Sequence, residues 1–161
     1  MRFPKKALIG WMGALLFASL ACTLQALRVN TSPQNLEGTQ WELDSFGPPG
    51  SQAGAVEGAR LVMVFSTENR VGGTDGCNTF EGEYAARFGR LLFQNLSDSR
   101  VTCTDQKLLA QEAAYLRALK AAGHYELLDG RLIIWYGDGQ NTLIFKRSQP
   151  PGLVGGLSER G

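Results

Sequence analysis

The sequence predicts a β-rich α+β domain, a small antiparallel β-barrel or strongly curved sheet with one helix packed on it. Three observations carry this expectation. Short apolar or alternating runs recur between clusters of Gly, Pro, Asn and Asp, and a single stretch shows helical periodicity. Strands stand on both sides of that helix in the chain, which excludes a βαβ repeat.

The first strand is expected over Thr39 to Phe46, where Trp41 and Leu43 alternate with Glu42 and Asp44, and Gly47-Pro48-Pro49-Gly50 stops it. A wide loop follows to Ala59. Leu61 to Phe65 is a continuous apolar run, Val71 to Gly76 is glycine-rich, Asn78 to Ala86 mixes aromatic and polar residues, and Leu91 to Phe93 is a further short run. These read as successive antiparallel strands. Between Thr104 and Ala122 the period changes, with Leu108, Leu109, Glu112, Leu116 and Leu119 at three- and four-residue steps. Thr104 can cap this helix, Asp105 suits its positive end and Gly123 suits its stop. Tyr125 to Leu128, Leu132 to Tyr136 and Leu143 to Lys146 complete the strands, turned at Asp129-Gly130 and Gly137-Asp138-Gly139. The run Leu132-Ile133-Ile134-Trp135 suggests burial on both faces.

The 161 residues divide into a leader over 1–27, a polar linker with Pro33 over 28–35, one domain over 36–147 and a flexible tail over 148–161 rich in Pro and Gly. Apolar residues make up 43% of the chain and charged ones 19%, a balance that buries a core. The formal charge is +1; setting aside Arg2, Lys5 and Lys6 of the leader takes the 16 basic residues to 13, against 15 acidic ones. With no stripe of Lys and Arg interleaved with aromatics, nucleic acid is not an expected partner.

Arg2, Lys5 and Lys6 precede an apolar stretch from Ala7 to Ala21, the order of a secretory signal peptide. Three tethers are compatible with it. Ser19-Leu20-Ala21-Cys22 resembles the lipobox of bacterial lipoproteins, in which Cys22 is lipidated, although Ser19 stands where Leu is usual. Ala7 to Leu27 is also long enough to cross a bilayer uncleaved, and cleavage after Ala21 without lipidation gives a secreted protein. All three place the domain outside the cytoplasm. If Cys22 carries lipid, Cys77 and Cys103 remain as an even pair in a compartment that permits disulfides, and we read them as bonded. Zinc fits poorly, because two thiols and the lone His124 leave a tetrahedral site one ligand short unless a carboxylate joins them; no metal or cofactor is expected.

Gly73-Thr74-Asp75-Gly76-Cys77-Asn78-Thr79-Phe80, with Gly82 and Tyr84 after it, resembles the Gly-Cys-Asn motif of the META (HslJ-like) domain family. Ser99-Arg100-Val101-Thr102-Cys103, before a helix carrying Glu112, is similar to the family's Thr-Arg-Met-x-Cys segment, and Trp41 fits the opening strand. The resemblance spans Leu36 to Arg147. It implies a mixed barrel-like fold with one helix, common in exported lipoproteins with stress-related roles. It implies no reaction, so Gly76, Cys77, Asn78, Arg100 and Cys103 are carried over as motif positions only.

The remaining candidates are weighed on their own chemistry. Gly72, Gly73 and Gly76 lack the Lys-Ser/Thr of a phosphate loop and read as a bulge or close backbone approach. Asn78 is expected to cap a turn through its side chain. Cys77, His124 and Asp75 supply thiol, base and acid, but nothing brings His124 close and a disulfide abolishes the nucleophile. Glu112 sits on the apolar stripe of the helix, so a partly buried pair with Arg100 is expected. Tyr84, Tyr115, Trp135 and Tyr136 read as core rather than pocket lining. The expected function is therefore that of a non-catalytic exported cell-envelope protein, membrane-anchored through its N-terminus, whose barrel is a binding or stabilising module. The stress-related role is implied by the resemblance, and the expected partner is another envelope protein or a small apolar ligand. An enzyme using Cys77 or a carboxylate is the alternative from another class. An inhibitor, or a barrel holding a small apolar ligand, is a further variant; the loop Gly47 to Ala59 is the place to look for protein binding.

Overall fold

Residues 35–100 and 103–149 are described by the computed structural model, and they form eight strands and one helix in the predicted order. The leader with Cys22, the linker up to Gln34, Val101, Thr102 and the tail from Pro150 lie outside the described residues. The elements are β1 (Thr39–Gly47), β2 (Leu61–Phe65), β3 (Arg70–Asp75), β4 (Thr79–Arg87), β5 (Arg90–Asp98), α1 (Gln106–Lys120), β6 (Ala122–Leu128), β7 (Arg131–Tyr136) and β8 (Asn141–Arg147). Each strand pairs antiparallel with the next, and β8 returns to β1 from Trp41↔Arg147 to Gly47↔Thr142, closing a barrel.

Period-two patterning fills the interior. Trp41 and Leu43 of β1, Leu61, Met63 and Phe65 of β2, and Leu143 and Phe145 of β8 all point inward and are buried. Eight strands leave an interior just wide enough for side chains, and these residues occupy it. The seam between β5 and β6 is narrow: Arg90↔His124 is its only register pair, supplemented by the Tyr125 N–H donating to the Gly89 carbonyl at 2.7 Å. There α1 takes over, packing against β5 and β3.

Gly73 of β3 is a close-approach position, as expected, and Gly82 of β4 is a second one. A Cβ on Gly73 would collide with the Val62 carbonyl of β2, and one on Gly82 would come within 2.8 Å of the Gln94 carbonyl. Gly73 lies opposite Phe80 and Gly82 opposite Val71, so each glycine faces a larger residue across the ladder.

Several local expectations are corrected. The helix cap is Asp105, whose carboxylate accepts the N–H groups of Lys107 and Leu108, not Thr104; a carboxylate serves both the orphan donors and the helix dipole. Gly123 does not end α1, which closes at Ala121; pairing of Ala122 with Tyr136 draws the chain directly into β6. The buried face of α1 is Gln111, Tyr115, Ala118 and Leu119, so the helix is rotated from the leucine stripe and Leu109 is 41% exposed. Tyr115 sets that rotation by plugging the barrel end edge-on to Phe80 (5.9 Å) and Phe145 (6.4 Å). In β7 only Leu132 and Ile134 are buried; Ile133 and Trp135 sit on the outer face, because a closed barrel has one dry side.

Candidate functional site

The residues of the Gly-Cys-Asn motif meet α1 at the plugged end of the barrel. Asp75, the last residue of β3, is fully buried, and its Oδ1 accepts the N–H groups of Cys77 (3.1 Å) and Asn78 (2.7 Å). The Asp75 N–H donates to the Asn78 carbonyl at 3.1 Å, and Gly76 takes φ +99°, a conformation that suits only glycine well. The turn between β3 and β4 is thus capped by Asp75 rather than by Asn78. The Asn78 side chain reaches across instead: its Oδ1 accepts the Ser99 hydroxyl at 3.0 Å, and its Nδ2 approaches Cys77 Sγ at 3.6 Å. Ser99 also accepts the Thr79 N–H at 3.2 Å, tying the end of β5 to the start of β4.

Cys77 and Cys103 form a disulfide, with Cα atoms 6.3 Å apart and a sequence separation of 26, as the cysteine count predicts. The bridge fastens the motif turn to the segment leading into α1. One turn into that helix, Gln111 accepts the Val56 N–H at 2.6 Å and so pins the loop between β1 and β2 to the same cluster. A carboxylate oxygen of Glu112 and the two cysteine sulfurs lie within 4.8 Å of one another. This is the carboxylate a zinc site would need, yet sulfurs joined to each other are not the thiolates that bind metal.

The expected pair between Glu112 and Arg100 is not formed. Arg100 adopts φ +49° and projects its side chain into solvent, 91% exposed, with Asp98 at 3.8 Å as its ion-pair partner. Glu112 turns to the disulfide and receives a hydrogen bond from the Asn78 side chain. Burial raises the Glu112 carboxyl above the ordinary carboxylate range and the charges of Asp75 and Asp98 add to the rise, while the Asn78 hydrogen bond opposes it. Burial, and after it the Asp75 charge, raises the Tyr115 hydroxyl as well.

The sign of the Glu112 effect follows from linkage. The folded protein holds this proton more tightly than the unfolded chain, so the stabilisation is complete below the ordinary carboxylate range and is lost as pH rises through the raised value. Glu112→Gln keeps a hydrogen-bond acceptor for Asn78 and removes the titration. Its unfolding midpoint should fall less than that of the parent between about pH 4 and 7. Arg100→Met should shift stability by no more than about 0.5 kcal/mol and add independently to Glu112→Gln. Denaturant melts of the three variants across that range measure both.

The other candidates separate from this cluster. His124 sits on β6 against the Trp135 ring at 5.3 Å, opposite Arg90, and contributes to none of the contacts around Cys77. Tyr84 and Tyr115 are core, Tyr136 packs against it, and Trp135 lies on the outer face. Gly72, Gly73, Phe80, Glu81, Ser97 and Ser99 line a groove of about 530 Å³ of mixed polar and apolar character. The parts played by Gln111 and Ser99 carry no sequence signal, whereas the Asp75-Gly76 dipeptide is a turn signal from which the Asp75 cap could have been read.

The META domain family model matches residues 34–150. No curated protein matches the chain. An NMR structure of a protein from Burkholderia xenovorans is similar at 28% identity and a TM-score of 0.60, over 71% of this chain and 85% of that one. A second NMR structure is 22% identical with a TM-score of 0.54, over 69% and 90% of the two chains. The crystal structure of a DUF4847 family protein from Bacteroides vulgatus ATCC 8482 shares the fold at 11% identity, with a TM-score of 0.53 over 71% and 96%.

Proposed function

The chain belongs to the META domain family, and from that premise we propose that it is a non-catalytic, exported cell-envelope protein whose barrel serves as a binding or stabilising module in a stress-related role. The observation that carries the non-catalytic reading is the use made of the motif. Cys77 is consumed in the bridge to Cys103, Asp75 is sealed beneath the turn and bonded to backbone N–H groups, and Asn78 ties that turn to Ser99. Each of these side chains serves the architecture of the barrel end. The disulfide also favours an oxidising compartment, in keeping with the basic-then-apolar leader.

Mass spectrometry of the protein purified from membranes in mild detergent tests the reading. A lipidated Cys22 identifies a lipoprotein, an intact Met1 an uncleaved anchor, and an unmodified N-terminus after Ala21 a secreted form. Recovery from the cytoplasm with Cys77 and Cys103 as free thiols would overturn export. A stoichiometric envelope partner in the same preparation supports the binding role.

A further inference from the structure

The two ends of the barrel differ. One is plugged by α1 and the disulfide; the other is made of hairpin turns, and the chain enters β1 there. At this second end the turn between β4 and β5 combines three locally unfavourable choices. Phe88 is 92% exposed, the most exposed large apolar side chain among the described residues. It holds φ +51°, in the left-handed region that bulky residues avoid. Arg87 and Arg90 flank it as a direct cross-strand pair, placing like charges opposite each other. The Arg87 guanidinium lies over the Phe88 ring at 5.3 Å, and among the described residues neither arginine has an acidic partner, although Arg70, Arg131 and Lys146 near the same end all do. Leu128, at the turn between β6 and β7, is 47% exposed.

Local choices that conflict with folding concentrate where a surface has another task. Apart from the Arg87–Phe88 stacking, no ring contact or ion pair among the described residues uses this aromatic ring or the two charges. We infer that this end of the barrel docks on an anionic lipid surface, with Phe88 inserted at the headgroup level and Arg87 and Arg90 on the lipid phosphates. An aromatic ring with unpaired guanidinium groups beside it matches the chemistry of a bilayer interface, apolar below and negative above. The position at which the chain enters the barrel fits as well, on the reading that the residues before it are membrane-anchored; the inference rests on that reading for its geometry.

The test uses the full chain and vesicles of phosphatidylcholine with and without phosphatidylglycerol. Flotation reports attachment of the chain, and Phe88→Trp in vesicles with brominated acyl chains reports contact of the tip, against the quenching of the unsubstituted chain as baseline. The expected result is additional quenching of Trp at position 88 with anionic vesicles, weakened about fivefold for each charge lost in Arg87→Gln and Arg90→Gln. A chain that floats with both vesicle types while position 88 remains unquenched overturns the docking surface and leaves the anchor standing. A chain that floats only with anionic vesicles, and is released by Phe88→Ser with both arginine substitutions, supports the surface and overturns the anchor. Failure to float with either overturns both. Concentration-dependent self-association without lipid, abolished by Phe88→Ser, would assign the tip to a second copy and overturn the lipid proposal.

Discussion

Replacing Cys77 and Cys103 together by serine should lower the unfolding free energy by about 3 to 4 kcal/mol, the chain-entropy value for a loop of this length. The bridge spans 26 positions and joins the β3–β4 turn to the segment entering α1, across a stretch where β5 has largely lost its pairing with β6. Without it the helix is held at that end by Tyr115, the Gln111 bond to Val56 and the hydrogen bond from Asn78 to Glu112. Against a total of about 5 to 15 kcal/mol for a small domain, the loss is a substantial fraction. Denaturant unfolding of the parent, the double serine variant and the reduced parent measures it. Reduction should reproduce the variant, and the denaturant dependence should steepen because the unfolded chain is no longer looped. A difference below about 1 kcal/mol in both comparisons would show that noncovalent contacts alone hold the barrel end.

Tyr115→Ala should cost about 3 to 5 kcal/mol, comparable to other large-to-small substitutions of buried aromatic residues. The ring is fully buried, meets Phe80 and Phe145 edge-on and closes the interior at the end the helix covers. Deleting it leaves a void bounded by rigid strands, which relax little. Tyr115→Phe is the informative partner. The hydroxyl is buried and makes no hydrogen bond to another protein group, so its removal should change stability by less than about 1 kcal/mol. Thermal or denaturant melts of both variants separate the two contributions. Equal losses would show that the hydroxyl, not the ring, is the anchor.

Both predictions concern positions whose importance is only half visible in the sequence. The cysteine pair was legible because oxidation state follows from counting thiols and reading the leader, and the disulfide agrees. Tyr115 was legible as core, but not as the residue that orients α1. Leu108, Leu109, Leu116 and Leu119 mark the more apolar side of the isolated helix, while the cavity shape at the barrel end selects the face with Tyr115 and Ala118. Glu112 shows the same limit. Its place on an apolar stripe correctly announces a carboxyl that is costly to desolvate, but its surroundings depend on where the motif turn lies, and that turn brings Asn78 and the disulfide rather than Arg100.

The family followed from the motif resemblance. Local patterning by itself determined the number and order of the strands and helix, with β5 cut short at Phe93 rather than Asp98, the Asp129-Gly130 and Gly137-Asp138-Gly139 turns and the close approach at Gly73. These follow from side-chain period and backbone sterics over a few residues, which act before any distant contact forms. Tertiary structure alone decided that the sheet closes, since β1 and β8 lie at opposite ends of the domain sequence and only the summed twist of the intervening strands brings them into register. It also decided the left-handed Phe88-Gly89 turn, because the Arg87↔Arg90 pairing leaves two residues to reverse the chain and imposes positive φ on whichever residue stands there. That residue is a phenylalanine, which no turn propensity selects, and so the most exposed apolar side chain among the described residues became visible only in the fold.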